Sequence, residues 1–290
     1  MRAVSVPGLV ALASATLLLW THLGYPLFIR LRARRRQGRG APGAGPEPSL
    51  CILVAAHDAA DDIVRKVRNT QVLVDRRTAR EAIIISDGSR DGTPALARSA
   101  AGDRVRVLEV PRRIGKEACL GLALQRTSAE LLVFTDVSTT LAPDAIEHLV
   151  AAFDAPDVGC VSGTDQAGTR DRSGSLEGLY VQLEMWMRRG EARAHSMISA
   201  SGCLFAARRE LCLPWLPELT SDFAIPLRAR RRGFRTVGAP GAVARYDLAT
   251  DAAAEFKRSI HALFIQDEWE PTANLTVTAG LRYDLYESND

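Results

Sequence analysis

Two aspartates carry the chemistry that reads most directly from this chain. Asp87 closes the run Ile83-Ile84-Ile85-Ser86, and Asp136 closes Leu132-Val133-Phe134-Thr135. Runs of branched and aromatic apolar residues predict buried strands, and each of these stops at its carboxylate. In open α/β sheets, ligands bind outside the carboxyl ends of the strands. Two carboxylates on that rim suit a base-and-ribose contact at Asp87 and a divalent metal holding a diphosphate at Asp136. The competing explanation is that Asp87-Gly88 and Asp91-Gly92 simply make tight turns. Between them, Gly115-Lys116 precedes a helix marked by Leu120, Ala123 and Leu124. Free N–H groups and the helix dipole there suit an anionic phosphate, with an ordinary surface lysine as the alternative. A third acid, Asp222 in Thr220-Ser221-Asp222-Phe223, heads a stretch running through Leu227. By itself it reads as the N-cap of a helix.

These residues need a scaffold, and the spacing supplies one. Leu50 to Ala55 predicts a continuous strand that stops at Ala56-His57-Asp58, and Ile63, Val64 and Val67 mark the helix after it. Thr93 and Pro94 predict an N-cap and a first helical residue. Val105 to Glu109 reads as a strand. Pro143, Ile146, Leu149, Val150 and Phe153 mark a helix, and Val158 to Gly163 a further strand. Residues 176–193 are amphipathic, with Leu179, Leu183 and Trp186 on one side. Ser199 to Ala206 is a segment of small residues.

Ile83 to Thr93 and Leu132 to Ser138 together resemble the signatures of family 2 glycosyltransferases, roughly DDGS-x-D-x-T and a D-x-D-type strand end. The resemblance covers residues 50–258. It implies a GT-A-type α/β fold, a mixed and mostly parallel sheet flanked by helices. It also implies inverting transfer from a nucleotide-diphosphate sugar, of the UDP type, to a polysaccharide or lipid-linked acceptor, with Mg²⁺ or Mn²⁺. Carried over by position, the donor contacts fall on Ala55, His57, Asp58, Asp87, Lys116 and Asp136. The metal falls on Asp136 and Ser138, the acceptor on Ser201 and Gly202, and the general base on Asp222. The chain departs from the pattern at Ala59, where a glutamate is expected, and at Ser86, Ser138 and Ser221, each in place of an acid. Those departures keep an inactive remnant open as an alternative. A nucleotidyltransferase on a similar sheet is another, although its usual glycine-rich loop is missing from Ala55-Ala56-His57-Asp58.

Charge and hydropathy divide the chain into four parts. Of the 37 basic and 34 acidic residues, seven arginines and one acid fall in residues 1–48. The remainder carries 37 − 7 = 30 basic against 34 − 1 = 33 acidic residues, which offers no face for nucleic acid. Gly8 to Ile29 is an uncharged run followed at once by six arginines up to Arg39. At about 20 residues it is long enough to span a bilayer. Residues 1–36 are therefore expected to form a single-pass anchor in the inner membrane, with everything after it cytoplasmic. Residues 37–48 read as a Gly/Pro/Ala linker and 49–258 as the catalytic domain. From Leu275 to Leu285 the odd positions are apolar, a strand period of two. Gln266-Asp267-Glu268-Trp269, a Pro turn, and Gly280-Leu281-Arg282-Tyr283-Asp284 resemble a barrel hairpin of TonB-dependent receptors. Residues 259–290 are thus a foreign-looking tail, consistent with a chimeric reading frame. The five cysteines lack CxxC spacing and read as reduced and buried.

Overall fold

The computed structural model describes residues 6–20, 24–25, 27–28, 48–77, 80–167, 190–192, 196–246, 258–272 and 275–288. The chain divides into one unit of residues 29–248 and another made of residues 1–28 and 249–290.

The larger unit is organised around β1 (Leu50–Ala56). Leu50, Ile52 and Val54 enter one apolar cluster and Cys51 and Leu53 the other, so both faces of the strand are buried. That is why its sequence is apolar without alternation. β2 (Arg80–Asp87) and β3 (Val105–Val110) extend the sheet in parallel on one side, and β4 (Leu131–Thr135) lies parallel to β1 on the other. Beyond β4 the sheet becomes mixed. β7 (Leu204–Arg208) runs antiparallel to β4 and to β6 (Val158–Ala167). β8 (Arg235–Tyr246) runs parallel to β6 and carries the short β5 (Thr139–Leu141) antiparallel at the edge. The order is 3-2-1-4-7-6-8-5. The parallel half therefore delivers the carboxyl ends of β1, β2 and β4 to one rim.

Helices connect these strands: α2 (Ala60–Asp75), α3 (Thr93–Ala100), α4 (Lys116–Leu124), α5 (Ala145–Ala151), the one-turn α6 (Arg209–Cys212) and α7 (Ser221–Arg231). On α2, residues Ile63, Lys66, Val67, Thr70, Leu73 and Val74 face inward at helical spacing. The strand expected over 158–163 continues to Ala167. Thr93 is the first helical residue of α3 rather than its cap; Gly92, with φ +86°, stands in the cap position. Of the amphipathic stretch 176–193, only 190–192 are described.

In the other unit, α1 (Val6–Leu19) has 14 residues and no charge. At 1.5 Å per residue it is roughly 21 Å long. Among the described residues no helix is long and apolar enough to cross a membrane. The arginine cluster and the linker at 37–47 lie outside the described residues. β9 (Arg258–Thr272) and β10 (Leu275–Ser288) pair antiparallel, from Arg258↔Ser288 to Thr272↔Leu275, as the period of two requires. The division between the units falls after Leu248, and residues 247–257 lie outside the described residues.

Candidate active site

The first carboxylate lies at the end of β2, where the apolar run predicted it. Asp87 is 3 % exposed. Its Oδ1 accepts the Ile114 N–H at 2.6 Å and its Oδ2 accepts the Gly115 N–H at 2.9 Å. The loop it holds passes so close that a Cβ on Gly88 (φ +61°) would lie 2.4 Å from the Arg113 nitrogen. Gly115, at φ +94° and ψ 152°, occupies backbone space that is essentially restricted to glycine. Both oxygens of Asp87, the residue expected at a base or ribose, are thus engaged by the backbone of the 114–115 turn. Asp87 shapes the turn from which Lys116 starts α4.

The rest of this signature is largely scaffold. His57 Nδ1 lies 2.6 Å from the Asp87 carbonyl oxygen, and its Nε2 is 3.4 Å from the Asp58 carboxylate. Asp58, at φ +42°, accepts the Arg90 N–H at 2.8 Å and donates its own N–H to Ser89 Oγ. Ala55 is half-buried beside them at the end of β1. Asp91 accepts the Ala60 N–H at 2.8 Å, which caps α2 from a distant loop because Ala59 has no side-chain acceptor. It also accepts the Thr93 hydroxyl, and these bonds, Thr93 first, hold its carboxyl below the ordinary aspartate range.

The second carboxylate stays at the rim. Asp136 Oδ1 is 2.5 Å from Lys116 Nζ, and both side chains are partly exposed. Partial burial works against the lysine's charge, but Asp136, with Glu117 and Asp222 nearby, more than offsets it and holds the ammonium above its usual value. Behind Asp136 lies a residue that the sequence reading passed over. Lys66, 1 % exposed, donates to Thr135 Oγ1 at 2.9 Å, to the Thr139 carbonyl at 3.0 Å and to Thr139 Oγ1 at 3.1 Å. It pins both ends of the turn that presents Asp136 and Ser138. Burial pushes its ammonium down to about 7, with Asp136 opposing the shift. A lysine on the apolar stripe of α2 was the signal that marked it.

Ser138 is exposed, and its carbonyl accepts Arg65 Nη2 at 3.2 Å. Among the described residues no three His, Cys, Asp or Glu side chains gather as a metal cage. One carboxylate and one hydroxyl at the rim still fit a hard divalent ion, which commonly keeps waters and shares substrate phosphates.

The third acid stands opposite a glycine. Asp222 lies in the first turn of α7, and its carbonyl accepts the Ala200 N–H at 2.8 Å. A Cβ on Gly202 would come 3.6 Å from Asp222 Oδ2, so the glycine keeps the space beside that carboxylate open. Ser201, expected at the acceptor, is fully buried. Its hydroxyl donates to the Asp165 carboxylate and accepts the N–H groups of Cys203 and Leu204, which fixes the turn into β7. The structure thus gives Ser201 a part in holding the turn beside Gly202. Glu117, also passed over in the sequence, accepts both the N–H and the hydroxyl of Ser221 on Oε1 at 3.1 Å. Burial, against those two hydrogen bonds, holds its carboxyl above the ordinary glutamate range.

A mixed sheet of this order flanked by helices matches the GT-A glycosyltransferase fold. The family model for "Glycosyl transferase family 2" matches residues 51–212, more than half of the chain, and the chain belongs to that family. An N-acetylglucosaminyltransferase of Azorhizobium caulinodans is 28 % identical over 196 residues, 61 % of this chain and 49 % of that protein. One from Mesorhizobium japonicum is 25 % identical over 256 residues, 81 % of this chain and 60 % of its own length. The chain thus spans about half the length of these curated relatives. A mannosyltransferase from Pyrobaculum calidifontis, solved in complex with GDP-Man and Mn²⁺, superposes with a TM-score of 0.64 and 25 % identity. That match covers 83 % of this chain and 69 % of the other.

Proposed function

We propose that the chain transfers a sugar, with inversion, from a UDP-sugar to a polysaccharide or lipid-linked acceptor at the cytoplasmic face of the inner membrane. The observation that carries the reading is the placement of Lys116 and Asp136 on one helix-and-strand rim, with Asp222 beside open Gly202 and near enough to act on the Lys116 charge. Relatives named N-acetylglucosaminyltransferases make UDP-N-acetylglucosamine the first donor to test. The uncharged α1 and the arginines after the apolar run support the anchor.

In this reading Lys116 leaves Asp136 for the donor's diphosphate, drawn by the greater negative charge and the free N–H groups at the start of α4. A divalent ion held by Asp136 and Ser138 would offset the charge that develops on the leaving diphosphate. Asp222 accepts the proton of the acceptor hydroxyl. That oxygen then bonds to the anomeric carbon as the bond from carbon to diphosphate oxygen breaks and its electron pair leaves with the diphosphate. Alignment across α4 and α7 supplies the proximity.

The test is a donor-hydrolysis screen with UDP- and GDP-sugars and Mn²⁺, run beside UDP titrations of two variants. Asp136→Ala should lose Mn²⁺-dependent UDP binding, whereas Asp222→Asn should keep that binding and lose turnover. Equal UDP affinity in Asp136→Ala and the parent would show that the donor site lies elsewhere.

A further inference from the structure

The acid pattern at the head of α7 is short by one carboxylate, because Ser221 precedes Asp222. The fold brings a carboxylate back to that place from another helix. Glu117 Oε1 takes the Ser221 N–H and the Ser221 hydroxyl, while Glu117 Oε2 is buried with no hydrogen-bond partner. The backbone carbonyl of Glu117 also accepts Trp215 Nε1 at 2.8 Å, so the start of α4 is fastened to the segment leading into α7 at two points. Its chain neighbour is Lys116, whose ammonium feels Asp136, Glu117 and Asp222 together. One residue thus joins the phosphate-side turn to the helix that carries the proton acceptor.

We propose that Glu117 is a positioning residue for Asp222: it supplies from α4 the second carboxylate that α7 lacks at Ser221, and so sets the distance between the leaving diphosphate and the base. The charged groups of α4 that face Asp222 are Lys116 and Glu117. The segment at 200–202 meets Asp222 through the Ala200 N–H, which donates to the Asp222 carbonyl. An uncompensated buried carboxylate oxygen costs stability, so its retention marks a group kept for placement and charge.

This inference rests on the transferase reading, and the experiment separates the two. UDP-N-acetylglucosamine hydrolysis and UDP affinity are measured in the full chain for the parent, Glu117→Ala, Glu117→Gln and the double variant Glu117→Ala with Ser221→Glu. Glu117→Ala should lower kcat at least about tenfold with the donor KM and UDP affinity held within about twofold, as expected when only transition-state alignment is lost. Returning an acid to α7 in the double variant should recover kcat to within about threefold of the parent, which a merely structural role would not allow. Glu117→Gln keeps the Ser221 bonds and guards against misfolding of the alanine variant; it should lose kcat with an unchanged melting midpoint. A parent that hydrolyses donor, with Glu117→Gln at the parental rate or no recovery in the double variant, overturns this inference alone. A parent that binds no UDP and hydrolyses no donor overturns the transferase reading and this inference with it.

Discussion

Replacing Lys66 with methionine should remove a rise in stability that the parent shows between pH 7 and about 8.5. In the folded chain, burial pushes this ammonium down to about 7, against an ordinary value of 10.5. Between those values the unfolded chain holds a proton that the folded chain has released, so raising the pH favours the folded state. Below pH 7 both states are protonated and the slope vanishes. Integrating from pH 7 to 8.5, with the folded lysine half-protonated at the start, gives about 1.5 kcal/mol. For a unit of this size that is a midpoint shift of about 3–6 °C. The buried thiols of Cys51, Cys119 and Cys160, each pushed up to about 12, set the upper limit of the window. Above it, unfolded thiols ionise first and stability falls again. Lys66→Met keeps the shape of the side chain and takes a donor away from the Thr135 hydroxyl, the Thr139 hydroxyl and the Thr139 carbonyl, which lowers stability at every pH without adding a slope. Urea unfolding of parent and variant at the two ends of the window therefore isolates the lysine. Curves that stay parallel, to within about 0.3 kcal/mol, would refute the reasoning.

Two other perturbations test the scaffold and the tail. Gly88→Ala places a Cβ 2.4 Å from a backbone nitrogen at φ +61°, and should destabilise the catalytic unit by about 2–3 kcal/mol in urea melts while weakening UDP binding; a loss under about 0.5 kcal/mol would mean the 112–115 loop yields freely. Removing residues 258–290 deletes a hairpin that forms a two-stranded sheet among the described residues, and two strands alone are marginal in water. The melting midpoint of the catalytic unit should stay within about 3 °C, and a fall beyond about 10 °C would make the hairpin part of its core.

The sequence by itself determined the strands and where they stop. Apolar runs over 50–55, 83–85 and 132–134 needed no partner to be recognised, because a strand buried on both faces is apolar without alternation. Asp87 and Asp136 were legible for the same reason, as was the hairpin with its period of two. The switch to antiparallel pairing after β4 was not legible, since strand order depends on pairings far apart in the chain. Nor was the division of labour among the acids. Whether a carboxylate is free for a ligand depends on which donors reach it, and those donors are distant. Asp87 is taken up by Ile114 and Gly115, Lys66 by Thr135 and Thr139, and Glu117 by Ser221. Each side chain announces only that it can accept or donate. Burial removes water as the competing partner, so the fold alone decides which acid is taken up by a loop and which stays at the rim.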